Sequence, residues 1–448
     1  MTTLTLAIIF TFVAGYICIA TESIIKVNKA AIALLMCVIC WTLFMISPEQ
    51  YVFQAFPDGM GQAQALIAHV GETLKMHLGD TGETLFFLMG AMTIVEIVDT
   101  NGGFNFVRDM MKTRNKRKLL WRIAFMTFFL SAILDNLTTS IVMIMVLRKL
   151  IQDQKERMIY AAAVILSANS GGAFSPIGDV TTIMLWIKGM ITTQGVLTEI
   201  FVPSLVSMVV PVFILQFRLK GKLDTGQNLP KGVVSAFTAR QRRVIFLLGV
   251  GGLIFVPIFR YLTNLPPFMG ILLVLGVLWT VTEVFHRSTD SDDTMAKRVS
   301  DLLGHIDMST ILFFLGILMA VACLSEIGVL TALGQSLDGI SGGNHYMVTG
   351  IIGIISSIVD NVPLVAGCMG MYPIAPTGDM AVDGLFWQLL AYCAGVGGSL
   401  LIIGSAAGVI VMGLEKISFG WYLRHITWVA FVGYVLGIIS YWLIRMVL

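Results

Sequence analysis

Apolar residues in this chain come in long runs rather than at the spacing of a half-buried helix or strand. A helix crossing a hydrocarbon core of about 30 Å needs roughly 20 apolar residues, and such runs follow one another. Full spans are predicted at about 4 to 20, 30 to 46, 82 to 100, 198 to 217, 244 to 262, 268 to 285, 309 to 329 and 424 to 447. Two longer stretches, 158 to 190 and 384 to 414, carry Gly, Ser or Pro in their middles and read as broken spans. The first run, Leu4 to Ala20, has no basic residues before it and reads as a retained span rather than a signal peptide.

Lys and Arg favour the cytoplasmic side of a membrane. Lys26 and Lys29 put the first connection inside, and the connection 47 to 81, whose one basic residue is Lys75, outside. The connections Arg218 to Arg243 and His286 to Asp307 are rich in Lys and Arg and therefore cytoplasmic. Ahead of both lies Ile123 to Leu147. Lys112, Arg114, Lys116, Arg117, Lys118 and Arg122 flank it on one side, and Arg148, Lys149, Lys155 and Arg157 on the other. A single crossing would leave one basic cluster outside. The turn-forming motif LDNLTTS sits in its middle, so a re-entrant hairpin is expected, entering from the cytoplasm and turning at Asp135 to Thr139. Non-helical backbone at that depth requires surrounding protein or a water-filled cavity.

The pattern returns near the C-terminus, where no Lys or Arg occurs between Arg298 and Lys416 and IISSIVDNVPLVAG lies in the gap. TLFFLMGAM at 84 to 92 matches ILFFLGILM at 311 to 319, offset 227. The DN pair 135/136 matches 360/361 at offset 225, and the GG pair 171/172 matches 397/398 at offset 226. The fold expected is an all-α polytopic membrane protein with an inverted-topology repeat: about ten spans, two re-entrant hairpins opening to opposite sides and two discontinuous helices. The first repeat would be 1–222, with spans in 1–117 ahead of a hairpin and broken helix in 118–192. The second would be 240–448, with spans in 244–330 ahead of a hairpin and broken helix in 346–415, joined by a cytoplasmic linker at 218–243.

Composition agrees. Of 448 residues, 56% are hydrophobic and 12% charged, against about 25% charged in a soluble domain, and the mean hydropathy is +0.86. A secreted disulfide scaffold, a disordered regulator and a nucleic-acid binder are excluded. The 29 basic and 27 acidic residues nearly cancel, so no global field points to a polyanion. The six cysteines all lie in apolar runs, and the Cys37/Cys40 pair has CxxC spacing without His or acidic neighbours, which favours packing over redox chemistry.

Four polar constellations occupy the matched positions: the tips Asp135, Asn136, Thr138, Thr139 and Asp360, Asn361, and the breaks SANSGGAFSPIGDVTT (167 to 182) and AGVGGSLLIIGSAAG (394 to 408). Gly pairs let the backbone leave helical geometry, and Pro176 disfavours helix continuation. Ionisable groups inside spans are costly and by default functional; Asp135, Asp179 and Asp360 fall here with no Lys or Arg beside them. Three acids would repel an anion. A hard cation such as Na+ or Li+ wants carboxylate, amide, hydroxyl and backbone oxygens, and Asp135, Thr138, Asn169, Ser170 and Asp179 supply them, with Ser399 and Ser405 in the second break. Ser405 stands opposite Asp179 at offset 226, so the first half is expected to carry more of the ligation. Burial and a neighbouring like charge favour a protonated carboxylate. Such an acid keeps its proton until a metal cation displaces it, which couples Na+ to H+ without a second pathway.

Glu83 and His77 are weaker candidates for gating or pH sensing. His69, His286, His305, His345 and His425 read as solvated, Glu96, Asp99 and Glu326 as span-end acids, and GVGG at 395 to 398 lacks the context of a dinucleotide site.

SAILDNLTTSIVM, SANSGGAFSPIGDVTT and SSIVDNVPLVAG together resemble NhaD-type Na+/H+ antiporters of the ion transporter superfamily, which also holds arsenite permeases and divalent-anion/Na+ symporters; the likeness covers about residues 82 to 415. It implies a homodimer in a bacterial inner membrane, a scaffold, and a transport part made of hairpins and broken helices that moves across the bilayer. It also implies that Asp135, Thr138, Asn169, Asp179 and Asp360 bind or couple cations, Na+ resting on Asp135, Thr138, Asn169 and Asp179. Position 136 is Asn where some relatives carry a second acid, which bears on how many protons are exchanged. The expectation is a secondary transporter, not an enzyme, exchanging cytoplasmic Na+ and Li+ for external H+, without cofactor or nucleic-acid partner and surrounded by lipid. A Na+-coupled dicarboxylate or oxyanion transporter is the main rival.

Overall fold

The computed structural model describes residues 2–52, 62–103, 110–111, 113, 115–219, 221, 237–288, 299–358 and 360–447. Among them the secondary structure is helical, with no strand. The main helices are α1 (Thr3–Ala20), α2 (Lys29–Ile46), α3 (Gln62–Thr100), α4 (Lys116–Leu134), α5 (Asn136–Leu150), α6 (Gln154–Ala173), α7 (Val180–Ile187), α8 (Phe201–Leu215) and α9 (Ala239–Thr263). They continue with α10 (Pro267–Ser288), α11 (Met308–Glu326), α12 (Val329–Ser341), α13 (His345–Ser356), α14 (Asn361–Met371), α15 (Leu385–Gly397), α16 (Ala406–Glu415) and α17 (Thr427–Val447). Eight helices of the described residues are long and apolar enough to cross a membrane, matching the eight full spans read from the sequence. Apolar side chains such as Phe10, Leu35, Leu247 and Leu262 stay exposed, a surface suited to lipid rather than water. The protein is a polytopic α-helical membrane protein.

Two departures from the sequence reading have local causes. The segment 62–81, expected as part of an external connection, is the first half of the 39-residue helix α3. It contains good helix formers and no Pro, so its polar residues change the face it presents rather than its conformation. The turn expected over Asp135 to Thr139 shrinks to Asp135 alone, at φ 81°, and Asn136 already opens α5. The linker 218–243 falls largely outside the described residues, as do Lys112 and Arg114.

The chain forms two compact units. The first comprises Met1–Leu88, Asp307–Asn344 and Val362–Pro373. Here α2 packs on α11, Gly316 lying against the Ala33 backbone where no side chain would fit. Trp41 Nε1 donates to the Met319 carbonyl at 2.9 Å, and the Lys29 ammonium sits 4.2 Å from the centre of the Phe313 ring.

The second unit comprises Met89–Ile306, His345–Asn361 and Ile374–Leu448. Its α4 and α6 run in the same direction: Tyr160 Oη donates to the Lys116 carbonyl at 3.0 Å, and further along Ser131 Oγ donates to the Ala168 carbonyl at 2.6 Å. Helix α5 runs back along α6, with Asn136 beside Asn169 and, at the far end, Arg157 Nη1 on the Ile151 carbonyl. Thus α4 and α5 form a hairpin whose tip is Asp135. In the same way α13 runs with α15, from the His345 and Phe386 rings to Ser356 Oγ, which donates to the Ala394 carbonyl at 2.9 Å.

Contacts recur at the sequence offset. Ser131–Ala168 and Ser356–Ala394 are the same bond displaced by 225 and 226 positions. Gly171 lies against the Phe128 carbonyl and Gly397 against that of Gly353; Gly172 lies against Gly178, and Gly398 against Gly404. A Cβ at Gly171, Gly172 or Gly397 would strike backbone, and one at Gly398 would crowd it, which is why the paired glycines stand at the ends of α6 and α15.

Candidate cation site

The broken helices are built alike. Helix α6 ends at Ala173, and α7 starts after Asp179, whose Oδ1 accepts from the Thr181 amide at 3.1 Å. Helix α15 ends at Gly397, and α16 starts after Ser405, whose Oγ accepts from the Gly408 amide at 3.1 Å. Asp, Ser, Thr and Asn are preferred at such positions because a side-chain oxygen satisfies an otherwise orphaned amide. The tip of the first hairpin uses the same device: Asp135 Oδ1 accepts from the Thr138 amide at 2.8 Å and Oδ2 from Thr138 Oγ1 at 2.9 Å. Each break therefore offers both a helix N-terminus and the free carbonyls of a helix C-terminus.

Six of the residues named from the sequence join one hydrogen-bonded cluster. Asn136 Nδ2 donates to Asn169 Oδ1 at 3.1 Å and to Asp179 Oδ2 at 3.2 Å. Asn361 Nδ2 donates to the two oxygens of Asp179 at 3.4 and 3.3 Å. Asn169 Nδ2 reaches across to Ser399 Oγ at 2.8 Å and Ser405 Oγ at 2.9 Å. Asn169 is 0% exposed, Asp179 1% and Ser405 2%. No Lys or Arg takes part in these bonds; the Asp179 carboxylate is held by amides and a helix N-terminus.

Asp135 is half-buried and bonds Thr138, while Asp179 lies within electrostatic reach of both Asp135 and Asp360. Thr139 Oγ1 is buried with no hydrogen-bond partner among the described residues. Ser170 turns the other way, to Ser207 Oγ of α8 at 2.9 Å. Glu83 and His77 belong to the other unit, where His77 Nε2 lies 2.8 Å from Glu326 Oε1. Sequence reasoning did not name Ser131, Ser356 or Ser207. The first two could have been found as serines 225 positions apart, one turn ahead of each tip; nothing in the sequence marks Ser207.

A carboxylate, three amides and two hydroxyls form an oxygen-rich set that suits a hard monovalent cation. Among the described residues no group of three or more His, Cys, Asp or Glu side chains is arranged to hold a metal ion.

A family model described as citrate transporter (CitMHS) matches residues 16–391. Sodium/proton antiporter 1 of Arabidopsis thaliana is 43% identical over 431 residues, covering 96% of this chain and 71% of that protein. Sodium/proton antiporter 2 of the same plant is 41% identical over 432 residues, 96% and 97% of the two chains. The Na(+)/H(+) antiporter NhaD of Alkalimonas amylolytica is 30% identical over 465 residues, 96% and 89%.

Proposed function

The chain belongs to the citrate-transporter (CitMHS) family of ion transporters and, within it, to the sodium/proton antiporters of the NhaD kind, and we propose that it exchanges cytoplasmic Na+ and Li+ for external H+. The observation that carries this reading is Asp179: a carboxylate 1% exposed, bonded by the amides of Asn136 and Asn361 and by no cationic side chain. An unbalanced charge in so dry a place is costly. A proton or a Na+ removes the imbalance equally well, so the two compete for one group and the loaded site is the one that crosses. Asp135, Thr138 and Asn169 complete the ligand set in this reading, with Asp360, Ser399 and Ser405 contributed by the second half. The three amides offer carbonyl oxygens to the ion when their NH2 groups turn away.

The recurrent contacts at offsets of 225 and 226 support an internal repeat, and the distribution of Lys and Arg supports its inversion, with halves 1–222 and 240–448 about a 218–243 linker. The moving part would be 118–192 with 346–415, rising and falling against scaffold spans in a homodimer, an elevator-like form of alternating access. His77, whose Nε2 lies 2.8 Å from Glu326 Oε1, is read as a pH sensor, and Glu83, on the same helix, as a gating candidate. A bacterial inner membrane fits the NhaD relative, whereas the plant relatives, at higher identity, support a multi-pass membrane placement alone.

The test is an everted vesicle with an acid-inside pH gradient, to which Na+, Li+ and K+ are added in turn. Dissipation by Na+ and Li+ is expected; a gradient indifferent to both, with folded protein present, defeats the proposal. The family description favours a second reading, Na+-coupled transport of a carboxylate anion. Uptake of labelled citrate dependent on Na+ would select it, and the lack of Lys or Arg in the cluster argues against it.

A further inference from the structure

A second polar cluster lies at the opposite ends of the helices that build the site. Glu415, the last residue of α16, has a fully buried side chain. Its Oε1 accepts from Arg148 Nε at 2.8 Å and its Oε2 from Arg157 Nε at 2.5 Å. Arg148 also donates to the Leu414 carbonyl, Gln154 Nε2 to that of Glu415 at 3.1 Å, and Arg157 Nη1 to that of Ile151 at 2.8 Å. The arginines thus cap the carbonyl ends of α5 and α16, where positive charge is favourable, while one carboxylate holds them together.

Three helices leave this clamp for the site. Along α5 from Arg148 to Asn136, and along α6 from Arg157 to Asn169, the path is twelve residues, about 18 Å at 1.5 Å per residue. Along α16 from Glu415 to Ser405 it is ten residues, about 15 Å. Their far ends meet in the Asn136–Asn169 and Asn169–Ser405 bonds. A helix is stiff along its axis, so fixing three of them at one end sets the register of the oxygens at the other.

The matched position in the other half is also a tie. Asp383, 226 positions after Arg157, stands just before α15. It accepts from the Thr192 amide at 2.7 Å and from Thr192 Oγ1 at 2.6 Å, just beyond the end of α7. Arg445 Nη2 donates to its carbonyl at 2.7 Å. In both halves the trailing end of one half-helix is tied to the leading end of the other half's broken helix.

We propose that Glu415 is a positioning residue for cation binding: held by Arg148 and Arg157, it sets the register of Asn136, Asn169 and Ser405. This rests on the reading of the Asp179 cluster as the cation site. The test uses the purified full-length protein, measuring the Na+ concentration that half-maximally raises its melting temperature, together with Na+-driven exchange in vesicles normalised to folded protein. Loss of a group bonded directly to a metal ligand costs about 10–100-fold in affinity, and Glu415, acting through three helices, belongs at the lower end of that range. Glu415→Gln is therefore expected to raise both the half-maximal Na+ concentration and the KM about tenfold, with the maximal rate per folded protein kept. Glu415→Asp, which keeps the charge but reaches one arginine less well, should fall between, and decides alone if Glu415→Gln does not fold. Variants that fold and bind Na+ at wild-type concentrations overturn the clamp, even if their melting temperatures drop. A wild-type protein that Na+ does not stabilise overturns the cation reading of the cluster, and this inference with it.

Discussion

Asn361 reaches Asp179 across 182 positions of sequence, its Nδ2 lying 3.4 and 3.3 Å from the two carboxylate oxygens. Asn361 belongs to the DN pair 360/361 and Asp179 caps α7, so the acid and the amide that faces it come from the two segments that the proposed repeat sets in different halves. With its NH2 group turned away, Asn361 offers the bound cation a carbonyl oxygen. Losing an interaction with a charged group costs about 1.5–3 kcal/mol, and 1.36 kcal/mol is tenfold in affinity. Asn361→Ala should therefore raise the KM for Na+ about tenfold or more, leaving the maximal rate largely intact. Asp179→Asn should abolish the response to Na+ and Li+ altogether. Gradient dissipation over a Na+ series distinguishes them, and full activity of Asp179→Asn would remove that residue from the ligand set.

The close approaches at Gly171 and Gly397 predict a pair of equal defects. A methyl group at either position meets a backbone carbonyl, that of Phe128 or of Gly353, and backbone cannot yield as a side-chain tip can. Overpacking of this kind costs about 1–3 kcal/mol. Gly171→Ala and Gly397→Ala should each lower the melting temperature of the purified protein, whereas Gly79→Ala, with open space around it, should not. Indifference of one member of the pair would break the structural correspondence between the halves at that point.

Much of this fold was legible because lipid-crossing helices advertise themselves by apolar length, and because Gly, Pro and Asp interrupt them where a break is built. Helix α3 shows the limit: residues 62–81 carry His69, Glu72, Lys75 and Asp80, and hydropathy alone ends a span where the helix continues. The residue types that form the hydrogen-bonded cluster were legible too, since a buried acid without a basic neighbour stands out. Their pairing was not. Nothing in the sequence says that Asn169 turns to Ser399 and Ser405, that Ser170 turns to Ser207, or that Glu415 meets Arg157 from 258 positions away. Those choices depend on which helix faces pack together.

Competition between H+ and Na+ for one carboxylate fixes the sign of a pH effect. Protonation removes the charge that the cation needs, so lowering the pH lowers the fraction of sites open to Na+. Below the carboxylate's titration the KM for Na+ should climb by up to about tenfold per pH unit, with the maximal rate at saturating Na+ much less affected. Initial rates over a grid of Na+ and pH test this; a KM independent of pH would mean that the proton and the cation occupy different groups.

Asn136→Asp separates the two jobs of the tip. Asn136 now donates to Asp179 Oδ2 at 3.2 Å and to Asn169 Oδ1 at 3.1 Å. An aspartate there would turn both donors into acceptors and place a second acid against the first. Two carboxylates sharing a site cannot both ionise cheaply, so the pair retains a proton to higher pH than Asp179 alone. Na+ must then displace that proton as well, which raises the number of H+ exchanged per cation. The variant should need a more alkaline medium for half-maximal activity, and its exchange should respond more strongly to membrane potential than that of the wild type. Reconstituted vesicles with a potassium diffusion potential measure the second effect directly. An unchanged voltage response would show that position 136 orients Asp179 without taking part in proton transfer.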